Sequence, residues 1–158
     1  MKTNTIESIG LKWGAITFVL LSIYFSVMKA FGLVHMIELR ILNAGIMFFG
    51  VYMATKEAKV KLEQFTYLKG IGLGLFTAAV ASSMFAAFGL IYLTVINPAF
   101  IESIRANELF GRYINVFGAT LQIFIEGTFS GCLISYAVMQ RLKVGRLDFK
   151  EKLINHQD

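Results

Sequence analysis

The sequence has little of what disulfide-linked domains and most enzymes are built from. Its 158 residues include one proline, one tryptophan and one cysteine, and only 16% are charged. The lone Cys132 provides neither an internal disulfide nor a paired-cysteine metal site. There is no Walker loop, no GxSxG and no HExxH, and Gly70, Gly72 and Gly74 begin an apolar helix rather than a phosphate loop. We therefore expect no enzymatic activity, no catalytic residue and no cofactor.

The sequence also lacks the residues needed to bind two kinds of ligand, a metal ion and nucleic acid. His35 and Glu38 lie one helical turn apart, but one histidine and one carboxylate fall short of the ligand count of a zinc site, so we expect no bound metal. The net charge of +5 would suit nucleic acid. The Lys and Arg residues, however, lie in short clusters beside apolar runs, where membrane topology determinants belong. The sequence therefore predicts no nucleic-acid partner.

Apolar residues dominate what is present. The chain is 56% hydrophobic, with a mean hydropathy of +0.65, which lies outside the range of soluble globular domains. Apolar runs of about 20 residues are long enough to cross a bilayer as helices. We predict an all-α fold, a single integral membrane domain over residues 1–158 with four transmembrane helices. The predicted spans are 13–33, 35–55, 70–96 and 113–139.

The distribution of positive charge predicts the orientation of the bundle. Eleven of the fifteen Lys and Arg residues lie in the N-terminal tail, the 56–69 connector and the C-terminal tail. Because positive residues favour the cytoplasmic side, both termini are predicted to be cytoplasmic. The basic C-terminal tail also suits contact with anionic membrane lipids. On the other side, residues 99–112 mix charged and apolar positions, which is typical of a short interfacial helix.

Ionisable groups inside the spans are the candidate functional residues. Glu126 lies at the midpoint of span 4, and an intramembrane carboxyl is expensive unless it is partnered or functional. Counted from the cytoplasmic charges, Glu126, Arg40 and Lys29 all fall at about 22 to 25 Å. Asn43 and Glu38 bracket this layer on span 2. We predict that Glu126 pairs with Arg40, with Lys29 as the alternative, either as a structural ion pair or as a proton or cation site.

Small residues recur every four positions on two of the spans. Such stripes let helices approach closely, whether within the bundle, in a homo-oligomer or against a larger membrane partner, and the sequence leaves these open. Beside the stripe on span 4 runs a polar ridge of Gly118, Gln122, Glu126 and Ser130. The predicted helix-packing residues are Gly70, Gly74, Ala78, Ser82 and Ala86 on span 3, and Gly127, Gly131 and Ser135 on span 4.

Short motifs along the chain resemble one family. They are Tyr67-Leu68-Lys69-Gly70, the exit Ile96-Asn97-Pro98, and Glu126-Gly127 followed by Gly131 and Ser135 before a basic end. Together they resemble the domain-of-unknown-function 4199 family, small integral membrane proteins of Gram-negative bacteria. The resemblance implies a multi-pass protein of the bacterial inner membrane without an assigned activity. It also implies, as a possible partner, a polyprenyl-phosphate glycosyltransferase, and it carries over no catalytic residues.

Three functional hypotheses follow. The first is a non-enzymatic accessory or assembly subunit whose small-residue faces on spans 3 and 4 dock a membrane partner or a second copy. The second is a small carrier or channel, for protons or a lipid-linked substrate, with Glu126 as the titrating group. A membrane enzyme ranks last, because only His35, Glu38 and Arg40 cluster at one interface.

Overall fold

The computed structural model describes residues 5–32, 37–62, 65–107 and 115–154, with side chains at 5–32, 41–62, 65–102, 105–106 and 115–142. Within these ranges every regular element is a helix. The all-α prediction is therefore confirmed for the described residues. The helices are α1 (Ile6–Ala30), α2 (Ile37–Lys61), α3 (Tyr67–Ile91), α4 (Phe100–Asn107) and α5 (Val116–Ile154).

Local sequence signals account for the ends of α1. At its start, the Thr5 side chain accepts a hydrogen bond from the backbone N–H of Ser8 at 3.3 Å, which satisfies one free donor of the first turn. At its end, Gly32 adopts a φ of 68°, and its N–H donates to the carbonyl of Lys29 at 3.0 Å. Because only glycine adopts this conformation cheaply, Gly32 stops the helix and turns the chain.

The exit of α3 departs from regular α-helix. A π-helical turn spans Tyr92–Ile96, closed by the Asn97 N–H, which donates to the carbonyl of Tyr92 at 2.8 Å. The chain then passes through Asn97-Pro98, where the sequence predicts the span to end. The short helix α4 follows, and Arg105 pairs with Glu102 at 2.6 Å on its surface. A helix was predicted in this connector, and α4 occupies part of it.

The four long helices alternate in direction along the described chain. Lys12 on α1 pairs with Glu57 near the end of α2, so α1 and α2 are antiparallel. Gly10 and Gly14 of α1 lie successively further along α3, so these two helices are parallel. Helix α5 runs antiparallel to α3, as its contacts show below. A central apolar cluster joins all four helices and includes Leu21, Met47, Ala78 and Val138.

Three helices in the described part of the chain are long and apolar enough to cross a membrane. They are Ile6–Ala30, Tyr67–Ile96 and Val116–Leu142. The chain thus has the helices of a multi-pass membrane protein, but three such helices are identified where the sequence predicts four. Helix α2 is not among these three; its uncharged stretch, Ile41–Thr55, lies between charged residues. That stretch covers only about 22 Å of helix, short of a hydrocarbon core of about 30 Å.

Candidate functional site

The two small-residue stripes face each other between α3 and α5. A Cβ added at Gly131 would overlap the Cβ of Ala78, and one added at Gly127 would overlap the hydroxyl of Ser82. Further along, Gly74 faces Ser135, whose hydroxyl donates to the carbonyl of Ile71 at 3.2 Å. Gly70 faces Met139, and Ala86 is buried on the same stripe. The stripes are therefore occupied by contacts inside the chain.

This arrangement changes where a partner could bind. The sequence left open whether the small-residue faces pack internally or dock a partner, and the first hypothesis assigned them to a partner. Because the two faces cover each other, neither offers a free surface on the described bundle. Any docking through α5 must use the opposite side of that helix.

That opposite side carries Glu126. Glu126 is an exposed residue, one position before Gly127 in the sequence but turned away from α3, and Gln122 is exposed one turn before it. Apolar side chains surround these polar groups. We call this surface the α5 outer face; it consists of Gln122, Ile125, Glu126, Phe129, Leu133 and Tyr136, all exposed.

The predicted partner of Glu126, Arg40, lies on α2. Met47 approaches Gly127 at the inner side of α5, which brings the preceding turn of α2, with half-buried Asn43, near the level of Glu126. Arg40 and Glu38 belong to α2, but their side chains lie outside the described residues. The pairing of Glu126 with Arg40 therefore stays a prediction.

Lys29 occupies a different environment from the one predicted. Its ammonium lies 4.2 Å from the ring centroid of Tyr92 and 5.2 Å from that of Phe100. The face of an aromatic ring attracts a cation, and more strongly where water is excluded. Phe25 packs edge-to-face on both of these rings, with centroid distances of 5.3 and 6.3 Å. Among the described residues, no carboxylate forms an ion pair with Lys29.

The helix register also separates Lys29 from Glu126. Glu126 precedes Gly127, which faces Ser82, whereas Lys29 faces Tyr92, ten residues further along α3. Ten residues of helix correspond to about 15 Å. The predicted common layer therefore does not include Lys29. Counting residues from the charged ends failed here because the helices pack with offsets that a count cannot supply.

The sequence did not predict the ion cluster at the other end of the bundle, which is centred on the half-buried Glu57. The Glu57 side chain, only 15% exposed, accepts hydrogen bonds from Lys12 at 2.9 Å, Lys61 at 2.7 Å and the Trp13 indole at 2.6 Å. The hydrogen bonds from Lys61 and then Lys12 lower the pKa of Glu57 from 4.5 to about 2, against the opposing effect of burial. The i,i+4 spacing of Glu57 and Lys61 was the available signal.

Replacing Glu57 by glutamine is expected to destabilise the protein by about 1 to 2 kcal/mol, since both lysine partners are exposed and solvent screens them. Because the pKa is lower in the folded state, this stabilisation is present above about pH 4.5 and is lost as the pH falls toward 2. Thermal unfolding in detergent across this pH window should therefore show the wild type converging on E57Q.

The matched control is Glu102→Gln, which removes the exposed pair with Arg105. Exposed i,i+3 pairs contribute little, so E102Q should unfold close to the wild type. A constant difference between the wild type and E57Q from pH 7 to pH 2 would contradict the role assigned to Glu57.

The described geometry defines a class: a multi-pass helical membrane protein, closely packed inside, with a carboxyl group on its outer surface. Residues 12–143 match the family described as Protein of unknown function (DUF4199), and the chain belongs to that family. The match confirms the resemblance carried by the motifs of α3 and α5. Comparison with curated proteins and with solved structures gave no match.

Proposed function

We propose that this protein is a non-enzymatic subunit of the bacterial inner membrane that associates within the bilayer through the α5 outer face. Its partner is a second copy or a larger membrane protein. The observation that carries the proposal is the exposure of Glu126 on that face. The proposal keeps the accessory role expected from the sequence and moves the contact surface from the small-residue stripes to the outside of α5.

Helix directions support a bundle with four spans. Helices α1 and α3 run parallel, and both are long and apolar enough to span. The end of α1 and the start of α3 therefore lie on opposite sides of the membrane, and the chain between them must cross back. Helix α2 is the element available for that crossing, and its buried Val51, Ala54 and Thr55 pack inside the bundle. With the positive charges considered, both termini are assigned to the cytoplasm.

Energetics favour a covered α5 outer face. Glu126 lies ten residues after Val116 and sixteen before Leu142, the ends of the apolar helix, so it sits near mid-membrane. Placing an ionised side chain at this depth costs about 2.5 to 3.5 kcal/mol on insertion scales. A partner helix lying on this face would cover the exposed Glu126 and Gln122 and shield them from lipid, and the surrounding Phe129 and Leu133 supply apolar contact area.

The carrier hypothesis has less support. A carrier needs a cavity leading to its titrating group. One groove lined by described residues, among them Ser22 and Phe88, lies between α1 and α3 and does not include Glu126. A carrier remains the alternative, and proton flux into proteoliposomes that is abolished in E126Q, without a change in association, would favour it over the proposed subunit.

The proposal is tested by cross-linking in membranes. In a Cys132→Ala background, which is cysteine-free, Phe129→Cys places one thiol on the α5 outer face, where Phe129 is 65% exposed. We expect F129C to form a disulfide dimer if the partner is a second copy, or an adduct with a co-expressed polyprenyl-phosphate glycosyltransferase if it is that partner. Adding Glu126→Leu should reduce the yield about tenfold, since one interhelical hydrogen bond is worth about 1 to 2 kcal/mol.

Val19→Cys is the matched control, because Val19 is also exposed but lies on α1. We expect no adduct from V19C under the same conditions. Equal yields from F129C and V19C would mean random collision and would contradict the proposal. No adduct of either kind from F129C would also contradict it.

A further inference from the structure

We propose that the groove between α1 and α3, with Lys29 at its end, binds one anionic phospholipid. The groove has a volume of about 340 Å³ and is lined by α1 residues between Phe18 and Val27 and by Phe88 of α3. The site lies on α1, whereas the proposed association uses α5, so neither inference depends on the other.

The lining of the groove suits an acyl chain. Phe18, Val19, Ile23 and Val27 are apolar, and Ser26 has its hydroxyl occupied by a hydrogen bond to the carbonyl of Ser22 at 2.8 Å. From Phe18 to Val27 the groove follows nine residues of helix, or about 14 Å. This matches one leaflet of a hydrocarbon core of about 30 Å.

The end of the groove suits an anionic headgroup. Lys29 follows Ser26 by three residues and Ser22 by seven, so it lies on the same side of α1, one turn beyond the groove. It belongs to the last turn of the apolar helix, at the depth of the headgroups. A lipid whose tail fills the groove therefore brings its phosphate to Lys29.

Aromatic side chains connect the groove to Lys29. Phe88 lines the groove and packs against Tyr92 with a centroid distance of 6.1 Å, and Tyr92 lies under the ammonium. The rings hold Lys29 in place without neutralising it. Because half-buried Lys29 forms no ion pair with a described carboxylate, its charge is available to a phosphate. Charge complementarity thus selects an anionic lipid over a zwitterionic one.

The test is lipid retention by the full-length chain in mild detergent, measured by native mass spectrometry. The probes are dioleoyl phosphatidylglycerol and dioleoyl phosphatidylcholine, which share acyl chains and differ in charge. We expect one retained phosphatidylglycerol, favoured over phosphatidylcholine about fivefold, as one lysine near a lipid surface is worth about 1 kcal/mol. Lys29→Gln should abolish that preference and Lys29→Arg should restore it.

Two matched controls separate this site from general lipid contact. Lys59→Gln removes an exposed charge from α2 and should leave the preference unchanged. Ile23→Trp fills the groove from an exposed position and should reduce retention of both lipids, whereas Leu11→Trp, equally exposed outside the groove, should not. Lys59, Ile23 and Leu11 are all exposed, so their substitution is not expected to disturb folding. These three variants therefore still test the proposal if K29Q fails to fold.

Three outcomes would overturn the proposal. Equal retention of the two lipids by the wild type would remove the role of charge. If K29Q and K59Q lost the preference for phosphatidylglycerol equally, the preference would come from the net charge of the protein and not from Lys29. The third outcome combines two results: inorganic phosphate alone raises the unfolding temperature, and I23W retains as much phosphatidylglycerol as the wild type. Lys29 would then bind a free anion and not a lipid headgroup.

Discussion

Replacing Gly74 by leucine is expected to lower the unfolding temperature in detergent by roughly 6 to 12 °C, the equivalent of about 3 kcal/mol. A Cβ at this position would overlap the Cβ of Ser135 and lie 2.9 Å from Cγ1 of Val51. Neither atom is the end of a flexible side chain. Helices α3, α5 and α2 would have to separate, which opens the central core.

Gly72→Leu is the matched control on the same helix. A Cβ at Gly72 meets nothing within 4 Å, so its leucine points away from the bundle. Alanine-like residues are more favourable than glycine in a helix by about 0.5 to 1 kcal/mol, so G72L should be as stable as the wild type or slightly more. Equal destabilisation by G74L and G72L would show that the α3 stripe does not pack against α5.

Gly50→Leu is the second large effect, expected to lower the unfolding temperature by roughly 4 to 8 °C, or about 2 kcal/mol. Its Cβ would overlap the hydroxyl of Thr17 and lie 3.1 Å from the Thr17 Cβ. Thr17 is fully buried, its hydroxyl donates to the carbonyl of Trp13 at 2.7 Å, and its branched side chain has few alternative rotamers. Helix α2 must therefore move away from α1.

Gly45→Leu provides the comparison within α2, because a Cβ there meets nothing within 4 Å. We expect G45L to unfold at the wild-type temperature or above. Were G50L as stable as G45L, the close packing of α2 against α1 would be refuted. Helix α2 would then not be held inside the bundle as a crossing helix.

Local patterns were sufficient to predict several features of the fold. The apolar runs predicted helices, Asn97-Pro98 marked the end of a span that the structure places after Ile96, and a helix formed in the 99–112 connector. These features depend on backbone conformation and on residues within a few positions. Of the four predicted spans, three correspond to helices long and apolar enough to cross a membrane, whereas α2 has a short uncharged stretch between charged residues.

Local sequence patterns could not predict the contacts between helices. The stripe from Gly70 to Ala86 marked a close approach without naming the helix that fills it. The depth count placed Lys29 in the same layer as Glu126 and made it the alternative partner, whereas the structure places the Lys29 ammonium over the ring of Tyr92. Glu57 looked like one charge of a hydrophilic connector until α1 brought Lys12 and Trp13 to it.

The sequence by itself therefore determined that the chain is helical and apolar enough for a membrane. It also determined which small residues allow close helix packing and which charged residues lie within the apolar runs. Those properties follow from the composition of each helix and from the spacing of residues along it, and neither depends on the other helices. Only the tertiary structure decided that the two stripes cover each other and that Glu126 faces outward. Both depend on the rotation and offset of one helix against another, which are set by side-chain packing between segments distant in the chain.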